Sequence, residues 1–485
     1  MAKILILGAG ISGNTAAMYA KSFCRKEDEV IVVSPNKKWN WIPSNIWVGV
    51  GLMKPEDVTF DIAPIYKKMG IVHHQAKALS IHPEGDSSRS TPYVKVEFTG
   101  EGQQGKVEDI SFDFLINATG PKLNFEATEG LGPGKNSYSV CTYGHAEEAN
   151  RALQENIERM KKGERRKILI GTGHGNCTCQ GAAFEYIFNV EYILNRHGVR
   201  DKADLTWVSN EYEMGDFGIG GMHVKRGGYI THSRIFTESL FTERGLNWIT
   251  RSHVKKVDKN QIFYETLEGE DKEEDFDFAM LIPPFSGVGI KAFDKNNADI
   301  TTKLFAPNQF MKVDADYTPK DYENWSAKDW PSTYQNSDYK NIFAVGIAFA
   351  PPHPISKPMK SPKGTPIFPT PPRTGMPSGV MGREVARSIT DMIKMGTDKP
   401  TRRASLASMG AACIASSGAG IFDGTAVSMT MYPIVPDFDK YPDYGRDIGF
   451  TFGEIGLAGH WIKHILHYVF IYKAKGNLFW KLIPE

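Results

Sequence analysis

Residues 3–33 read KILILGAGISGNTAAMYAKSFCRKEDEVIVV, and the fold class can be predicted from them. Its apolar runs and helical spacing predict three elements: a buried strand at 3–7, a helix at 11–23 and a second strand at 29–33. Gly8, Gly10 and Gly13 stand between the first strand and the helix in the spacing G-x-G-x-x-G. In such a unit the first glycine makes a tight turn, the second lets the backbone approach a pyrophosphate, and the third lets the helix pack against the strand. The stretch therefore predicts a dinucleotide-binding α/β domain.

The residue that ends the second strand bears on which dinucleotide binds. NAD-binding units usually carry an acidic residue there, which holds a ribose hydroxyl. This chain has Ser34 instead. A dinucleotide is still favoured, but NAD is not specifically indicated.

A second unit of the same kind is predicted to begin near Lys167, with the strand KILIG, a helix ending near Leu194 and the strand LTWVS at 205–209. Its glycines are Gly171, Gly173 and Gly175. Asn176 and Cys177 occupy the place where a further glycine should open the helix, so the motif is degenerate. The pattern favours a domain that keeps the dinucleotide-binding fold but has a changed ligand-binding loop, rather than a working nicotinamide-nucleotide site.

Two further strands predict how the chain is divided. FDFLINATGPK (112–122) ends in Ala118, Thr119 and Gly120, and NIFAVGIA (341–348) ends near Gly346. Small residues at the ends of strands are where an open α/β sheet receives its ligand, so both stretches are interpreted as returns to the first domain. We therefore predict an α/β protein with two Rossmann-like domains and a C-terminal amphipathic region. The predicted boundaries are 1–155 with 310–400 for the first domain, 156–309 for the second and 401–485 for the third.

Composition excludes several classes of protein. There are 57 basic and 56 acidic side chains among 485 residues, so the chain lacks the positive charge that a general nucleic-acid binder needs. Five cysteines are too few for a disulfide framework and are more consistent with reactive thiols. The N-terminus lacks the pattern of a secretory signal, and no apolar run reaches the roughly 18 residues of a spanning helix. An intracellular protein without a metal site is expected.

Three cysteines lie in distinctive surroundings. They are Cys141 in SVCTYGHAEEA, Cys179 in HGNCTCQGAAFEY and Cys413 in MGAACIASSGAG. Together with GAGISG, PSNIWVGVG (43–51), NATGPK, FAVGIA and PPRTGM (371–376), these stretches resemble the sulfide:quinone oxidoreductases, flavoproteins with two dinucleotide-binding domains. The resemblance extends from Lys3 to about Asn477.

The resemblance implies FAD and sulfur chemistry. Cys179 and Cys413 match the cysteines that form a disulfide or polysulfide bridge beside the flavin, and Cys141 matches a cysteine near the flavin that in some members is a covalent tether. Hydrosulfide attacks the bridge, and attack depends on thiolate character and access. The flavin accepts the two electrons, and repetition lengthens the chain to polysulfide. Which of Cys179 and Cys413 reacts with the flavin stays open.

Further positions are implied in the same way. Glu185 and His145 match the acid/base candidates. Many members carry a histidine where this chain has Asp216, and the glycine-rich stretch 217–228 is a candidate lid. The implied cofactor positions are Gly8, Gly10, Gly13, Ser34, Ala118, Thr119, Gly120, Gly346, Ile347 and Arg373.

The C-terminal stretch predicts an amphipathic helix. Apolar residues recur at helical spacing, and histidines with a lysine project from the other side: Trp461, Ile462, Ile465, Leu466, Val469 and Phe470 against His460, Lys463, His464 and His467. Periodicity alone allows either a helix that lies in a lipid headgroup layer or one that docks onto its own sheet. The resemblance favours a monotopic anchor on the cytoplasmic membrane and a homo-oligomer.

A membrane quinone is the implied electron acceptor. By family position its ring would stack on Phe470 with Ala412 beside it. Where many members have a lysine that can hydrogen-bond a quinone oxygen, this chain has Tyr468. The partners expected are therefore sulfide, a quinone and the surface of a lipid bilayer.

Three alternatives are less favoured, and the second is set aside because no export signal is found. A type II NADH:quinone oxidoreductase shares the fold but needs an intact second glycine motif and no cysteine pair. A flavocytochrome c sulfide dehydrogenase is exported and passes electrons to a haem subunit. A flavin-binding membrane scaffold without turnover is the third.

Overall fold

The computed structural model describes residues 1–372, 375–420 and 422–485. It confirms the predicted fold class, a mixed α/β architecture with parallel sheets. Arg373, predicted at the cofactor, lies outside the described residues.

The elements fall into three stretches of the chain. The first contains β1 (Lys3–Leu7), α1 (Ile11–Phe23), β2 (Glu29–Val33), β3 (Lys38–Asn40), α2 (Asn45–Val48), α3 (Pro55–Val58), β4 (Thr59–Asp61), α4 (Ile62–Met69), β5 (Val72–His74), β6 (Ala76–His82), β7 (Tyr93–Phe98), β8 (Val107–Ser111), β9 (Phe114–Asn117), β10 (Lys122–Leu123) and α5 (Tyr143–Lys161). The second contains β11 (Arg166–Thr172), α6 (Gln180–Arg196), β12 (Ala203–Val208), β13 (His223–Arg226), β14 (Tyr229–His232), α7 (Ser233–Glu243), β15 (Asn247–Ile249), β16 (Ser252–Asp258), β17 (Gln261–Thr266), β18 (Asp271–Asp275), β19 (Phe278–Ile282), β20 (Phe285–Ser286), β21 (Lys291–Ala292) and α8 (Thr301–Leu304). The third contains β22 (Ile342–Ala344), α9 (Gly375–Met395), β23 (Ala411–Ser417), β24 (Thr425–Met431), β25 (Phe452–Gly456) and α10 (Leu457–Ala474).

The first parallel sheet has the order β22-β9-β1-β2-β5. Its central strand β1 is buried from Ile4 to Leu7, as a strand covered on both faces must be. One face is covered by α1, which packs against α9. The chain therefore leaves this sheet after β9 and returns to it at β22.

The second parallel sheet has the order β15-β12-β11-β19 and carries α6 on one face. The acidic stretch before β19 forms the exposed strand β18, which pairs with β17.

A third sheet joins distant parts of the chain in the order β14-β13-β25-β24-β23. The strand β23 lies at one end of it and also packs against α6. The helix α10 follows β25 directly and packs across β24 and β23. This arrangement brings Cys413, on β23, to the beginning of α6.

Candidate active site

The loop between β1 and α1 is shaped to receive an anion. A side-chain carbon at Gly13 would lie 2.1 Å from the Gly8 carbonyl oxygen, so the helix can approach the strand only with glycine there. A side-chain carbon at Gly10 would meet nothing within 4 Å, so the space in front of it is open. No side chain caps the N-terminus of α1, and its first N–H groups face that space. The loop fits the pyrophosphate of a dinucleotide.

The other predicted cofactor residues border the same sheet. Ser34 follows β2 and is buried, and Ala118, Thr119 and Gly120 follow β9. Gly346, with a φ of 65°, is the second residue after β22 and lies against Ser12 at the start of α1. Ile347 follows it in the 3-10 helix Gly346–Ala348. All of these positions lie at the carboxyl ends of parallel strands, where open α/β sheets bind ligands.

Cys179 and Cys413 meet at the N-terminus of α6. Cys179 is the residue that precedes the helix, in a left-handed conformation with φ of 65°. A side-chain carbon at Gly181 would lie 3.3 Å from the Cys413 sulfur, which places this thiol over the first turn of α6. The positive end of a helix favours a thiolate.

The thiols of Cys141, Cys179 and Cys413 are partly buried. Burial raises the pKa of Cys413 to about 11, with a smaller increase from the charge of Glu185 and a decrease from Lys463. Burial raises the pKa of Cys141 to about 12, opposed by a hydrogen bond with Ser139 and increased by charge on Cys179. Charge on Cys179 acts on both of these thiols and also on the thiol of Cys177, so the four cysteines form one cluster.

Glu185 lies on α6 beside this cluster and is fully hydrogen-bonded. Its Oε1 accepts hydrogen bonds from the Ser416 backbone N–H at 3.1 Å and from the Ser416 hydroxyl at 2.7 Å. Its Oε2 lies 2.9 Å from the Lys463 Nζ, and the two side chains are only 7% and 10% exposed. Glu185 is therefore half of a buried ion pair. The sequence analysis placed Lys463 on the polar side of a helix but gave it no role.

His145 has different neighbours. Its backbone N–H is capped by Thr142 at the start of α5, and its ring contacts the edge of Phe125 at 5.8 Å. Burial lowers its pKa, and its Nδ1 is buried with no partner among the described residues. It lies four residues after Cys141, but its contacts are not with the sulfur residues.

Two departures from the resemblance have structural explanations. The Cys177 thiol is fully buried and donates to the Ile282 carbonyl at 3.1 Å, so it is turned into the second sheet. Asp216 is half-buried and accepts hydrogen bonds from the Gly218 N–H at 2.9 Å and the Ser356 hydroxyl. Burial raises the Asp216 pKa, and its hydrogen bonds hold the glycine-rich loop together.

The mouth of the second glycine motif is filled by protein. A side-chain carbon at Gly175 would lie 2.4 Å from the Pro366 carbonyl oxygen. The Gly175 N–H is used by His253 Nδ1 at 2.9 Å, and its carbonyl accepts from Phe368 N–H at 2.9 Å. The Gly175 N–H, which could otherwise bind a phosphate, is therefore already occupied, in contrast to the open space at Gly10.

The predicted quinone residues are only partly brought together. The Phe470 ring stacks on Trp41 with centroids 5.1 Å apart, and Ala412 pairs with Thr430 within the C-terminal sheet. Tyr468 is 64% exposed on the outer side of α10. The polar residue on the inner side, one turn before Phe470, is His467, whose Nδ1 lies 2.9 Å from the Ser44 hydroxyl.

The helix α10 presents its apolar side outwards. Trp461, Ile462, Ile465 and Tyr468 are 42% to 64% exposed. Its buried side carries polar and charged residues: His460, Lys463, His467 and Lys473. This polarity is the reverse of that of a helix covering a core in water. Within the described ranges, no helix combines the length and the apolar character required to cross a bilayer.

Comparison with known proteins finds similarity to sulfide:quinone oxidoreductases in both sequence and structure. No protein-family model matches the sequence. The sulfide-quinone reductase of Aquifex aeolicus is 29% identical over 484 residues, which cover 99% of this chain and 93% of that protein. The X-ray structure of the sulfide:quinone oxidoreductase from Aquifex aeolicus superposes with a TM-score of 0.76 at 27% identity, covering 99% of this chain and 92% of the other.

A more distant similarity concerns the fold alone. NDH2 from Plasmodium falciparum superposes with a TM-score of 0.58 at 13% identity, covering 88% of this chain and 90% of that one. The full-length similarity to the Aquifex aeolicus protein confirms the resemblance predicted from the sequence.

Proposed function

We infer that this chain, a full-length homologue of the sulfide:quinone oxidoreductases, is an FAD-dependent enzyme that oxidises sulfide to polysulfide or sulfur and passes two electrons to a quinone. One observation of the structure carries the proposal. Cys413 lies 3.3 Å from the Cβ position of Gly181, just after Cys179, at the positive end of α6. Two cysteines on different elements are thus placed where a bridge can be opened and closed.

The residues at the first sheet fit FAD. Gly8, Gly10 and Gly13 with the N-terminus of α1 would hold its pyrophosphate, and Ser34 would face the ribose. Residues 118–120 and 346–347 would border the rest of the molecule. When bound, FAD supplies the two-electron acceptor beside the thiols.

The chemistry proposed for the cysteines is thiol exchange. Hydrosulfide attacks one sulfur of a Cys179–Cys413 bridge, which leaves a persulfide on that cysteine and a thiolate on the other. Loss of two electrons, which bound FAD would accept, joins the persulfide to the thiolate in a bridge that contains the added sulfur, and repetition lengthens the sulfur chain. The polysulfide leaves when the thiolate of one cysteine attacks the sulfur of the other, which breaks the bond to the chain and restores the Cys179–Cys413 bridge. Glu185 lies beside Cys413, and we propose it as the charged group that controls proton balance there. Cys141 contributes a third thiol to the same cluster.

A lipid surface is the proposed location, because the outward apolar side of α10 suits a headgroup layer. Exposed aromatic and apolar residues continue beyond the helix at Leu478, Phe479 and Leu482. A quinone dissolved in lipid would reach Phe470 and Trp41 from this side. His467, on the inner side one helical turn before Phe470, can hydrogen-bond, and burial lowers its pKa to about 4, so it is neutral at physiological pH.

The test is anaerobic reduction of the flavin. Purified protein in detergent is mixed with sulfide or with NADH, the flavin absorbance is recorded, and a short-chain quinone is then added. Bleaching by sulfide and reoxidation by quinone are expected, with bleaching lost in Cys179→Ser and Cys413→Ser. Cys177→Ser is the matched control, since its thiol is turned towards the Ile282 carbonyl, and it should bleach normally.

Two other outcomes would overturn the proposal. Bleaching by NADH alone would favour an NADH:quinone oxidoreductase, despite the filled mouth at Gly175. A yellow protein inert to both reductants would favour the scaffold.

A further inference from the structure

Lys463 connects the outward-facing helix to the sulfur site. It lies on the buried side of α10, and its Nζ is 2.9 Å from Glu185 Oε2. The same Nζ approaches the carbonyl of Ile414, the residue after Cys413, at 3.5 Å. A lysine on one element therefore contacts both the helix and the strand that carry the predicted chemistry.

Glu185 extends this contact along β23. Its other oxygen accepts two hydrogen bonds from Ser416, three residues after Cys413. Gly181 lies one helical turn before Glu185, and a side-chain carbon there would lie 3.3 Å from the Cys413 sulfur. The strand is thus held at Ile414 and at Ser416 by a single buried ion pair, and Cys413 lies next to the first of these two points.

The same pair sets the charge near Cys413. Burial raises the pKa of this thiol to about 11, Glu185 and Cys179 act in the same direction, and Lys463 opposes them. The other titratable groups on the inner side of α10 are His460, His464, His467 and Lys473. Beside them, Asp57 acts on His467 from α3. Among the charged residues that shift the pKa of the Cys413 thiol, Glu185 and Cys179 are anionic and Lys463 is cationic.

We propose that Lys463 is a positioning residue for sulfide oxidation: it fixes β23 through Glu185 and supplies the positive charge that offsets a thiolate at Cys413. The proposal rests on the proposed function. It means that the sulfur site is complete only while α10 is docked.

The test compares three variants. Lys463→Met removes the charge and keeps the volume, and Lys463→Arg keeps the charge. Lys473→Met is the matched control, because Lys473 is another buried lysine of α10, paired with Glu485 at 2.5 Å. Two quantities are measured: the rate of flavin bleaching by sulfide, and the alkylation of Cys413 in the reduced protein, resolved by mass spectrometry across a pH series.

Lys463→Met should slow both processes by about tenfold at pH 8, because a rise of one unit in the Cys413 pKa lowers the thiolate fraction tenfold. Lys463→Arg should stay within about threefold of the parent, and Lys473→Met should leave both rates unchanged. If Lys463→Met does not fold, Lys463→Gln carries the same expectation, since it can still donate to Glu185 without charge.

Two results would overturn the proposal: unchanged alkylation of Cys413 in the Lys463 variants, or the same losses in Lys473→Met. Failure of the proposed function is distinguishable from this, because sulfide would then not bleach the parent protein. Alkylation of Cys413 would still report on Lys463.

Discussion

At the scale of the residue, the pair Lys463 and Glu185 has a cost that can be measured. Removing one partner leaves the other charged in a site less than about a tenth exposed, which costs about 3–5 kcal/mol. Replacing both by methionine removes the charges together, so Lys463→Met with Glu185→Met should be more stable than either single variant. Thermal unfolding of the four proteins measures this, and additive losses would contradict it.

Glu211 gives a prediction about pH. Its buried carboxyl accepts hydrogen bonds from Phe217 N–H and the Ser209 hydroxyl, and burial raises its pKa from 4.5 to about 7. The folded protein therefore binds this proton more tightly than the unfolded chain, and stability falls as pH rises through that interval, by about 3 kcal/mol at most. Below the unfolded value both states are protonated and nothing is lost.

Glu211→Gln mimics the protonated carboxyl at every pH. The variant should unfold at a higher temperature than the parent at pH 8 and at a similar temperature at pH 4. Equal differences at the two pH values would show that ionisation of Glu211 is not the cause.

At the scale of the element, the loop before α1 separates folding from binding. Gly10→Ala points into open space, so the protein should fold with unchanged stability but retain less flavin, because the methyl group occupies the approach of the pyrophosphate. Gly13→Ala meets the Gly8 carbonyl at 2.1 Å and should destabilise the domain itself. Flavin absorbance per protein, with thermal unfolding of the apoprotein, distinguishes the two. Full flavin content in Gly10→Ala would contradict the assignment of this loop.

The sequence predicted the elements around this loop well, because each of them is a local pattern. The first strand and helix, at 3–7 and 11–23, are found with the predicted bounds. The C-terminal helix was also predicted, but not which side of it faces the protein. Periodicity divides a helix into two sides and is silent about their surroundings, and in α10 the side that carries Lys463 faces inwards.

The candidate site was less predictable because it depends on contacts between distant residues. Glu185 and Lys463 are 278 positions apart, and no local pattern links them. Tyr468 was chosen by its place in the chain, whereas the helix turns it outwards and His467 inwards. The sequence also did not show that residues near Phe368 occupy the second glycine motif, because the two segments meet only in the folded chain.

At the scale of the whole molecule, the exposed side of α10 predicts binding to vesicles. Ile462 and Ile465 are 47% and 58% exposed, and burying either in a headgroup layer is favourable by about 1 kcal/mol or more. Replacing both by glutamine should lower the fraction of protein that sediments with lipid vesicles at least tenfold, while sulfide still bleaches the flavin. Val107→Gln, at a valine 50% exposed on β8, is the control and should bind as the parent does.

The inward polar side of α10 also decides how a water-compatible version of this enzyme has to be engineered. Cutting the chain before residue 457 would remove Lys463 and His467 together with the exposed apolar surface. Glu185 would then be a buried carboxylate without its cation. Replacing the exposed apolar residues on the outer side of α10 by polar residues leaves those inner contacts in place. The inner side of α10 is therefore needed for the sulfur chemistry, whereas its outer side is not. The two sides belong to the same eighteen residues.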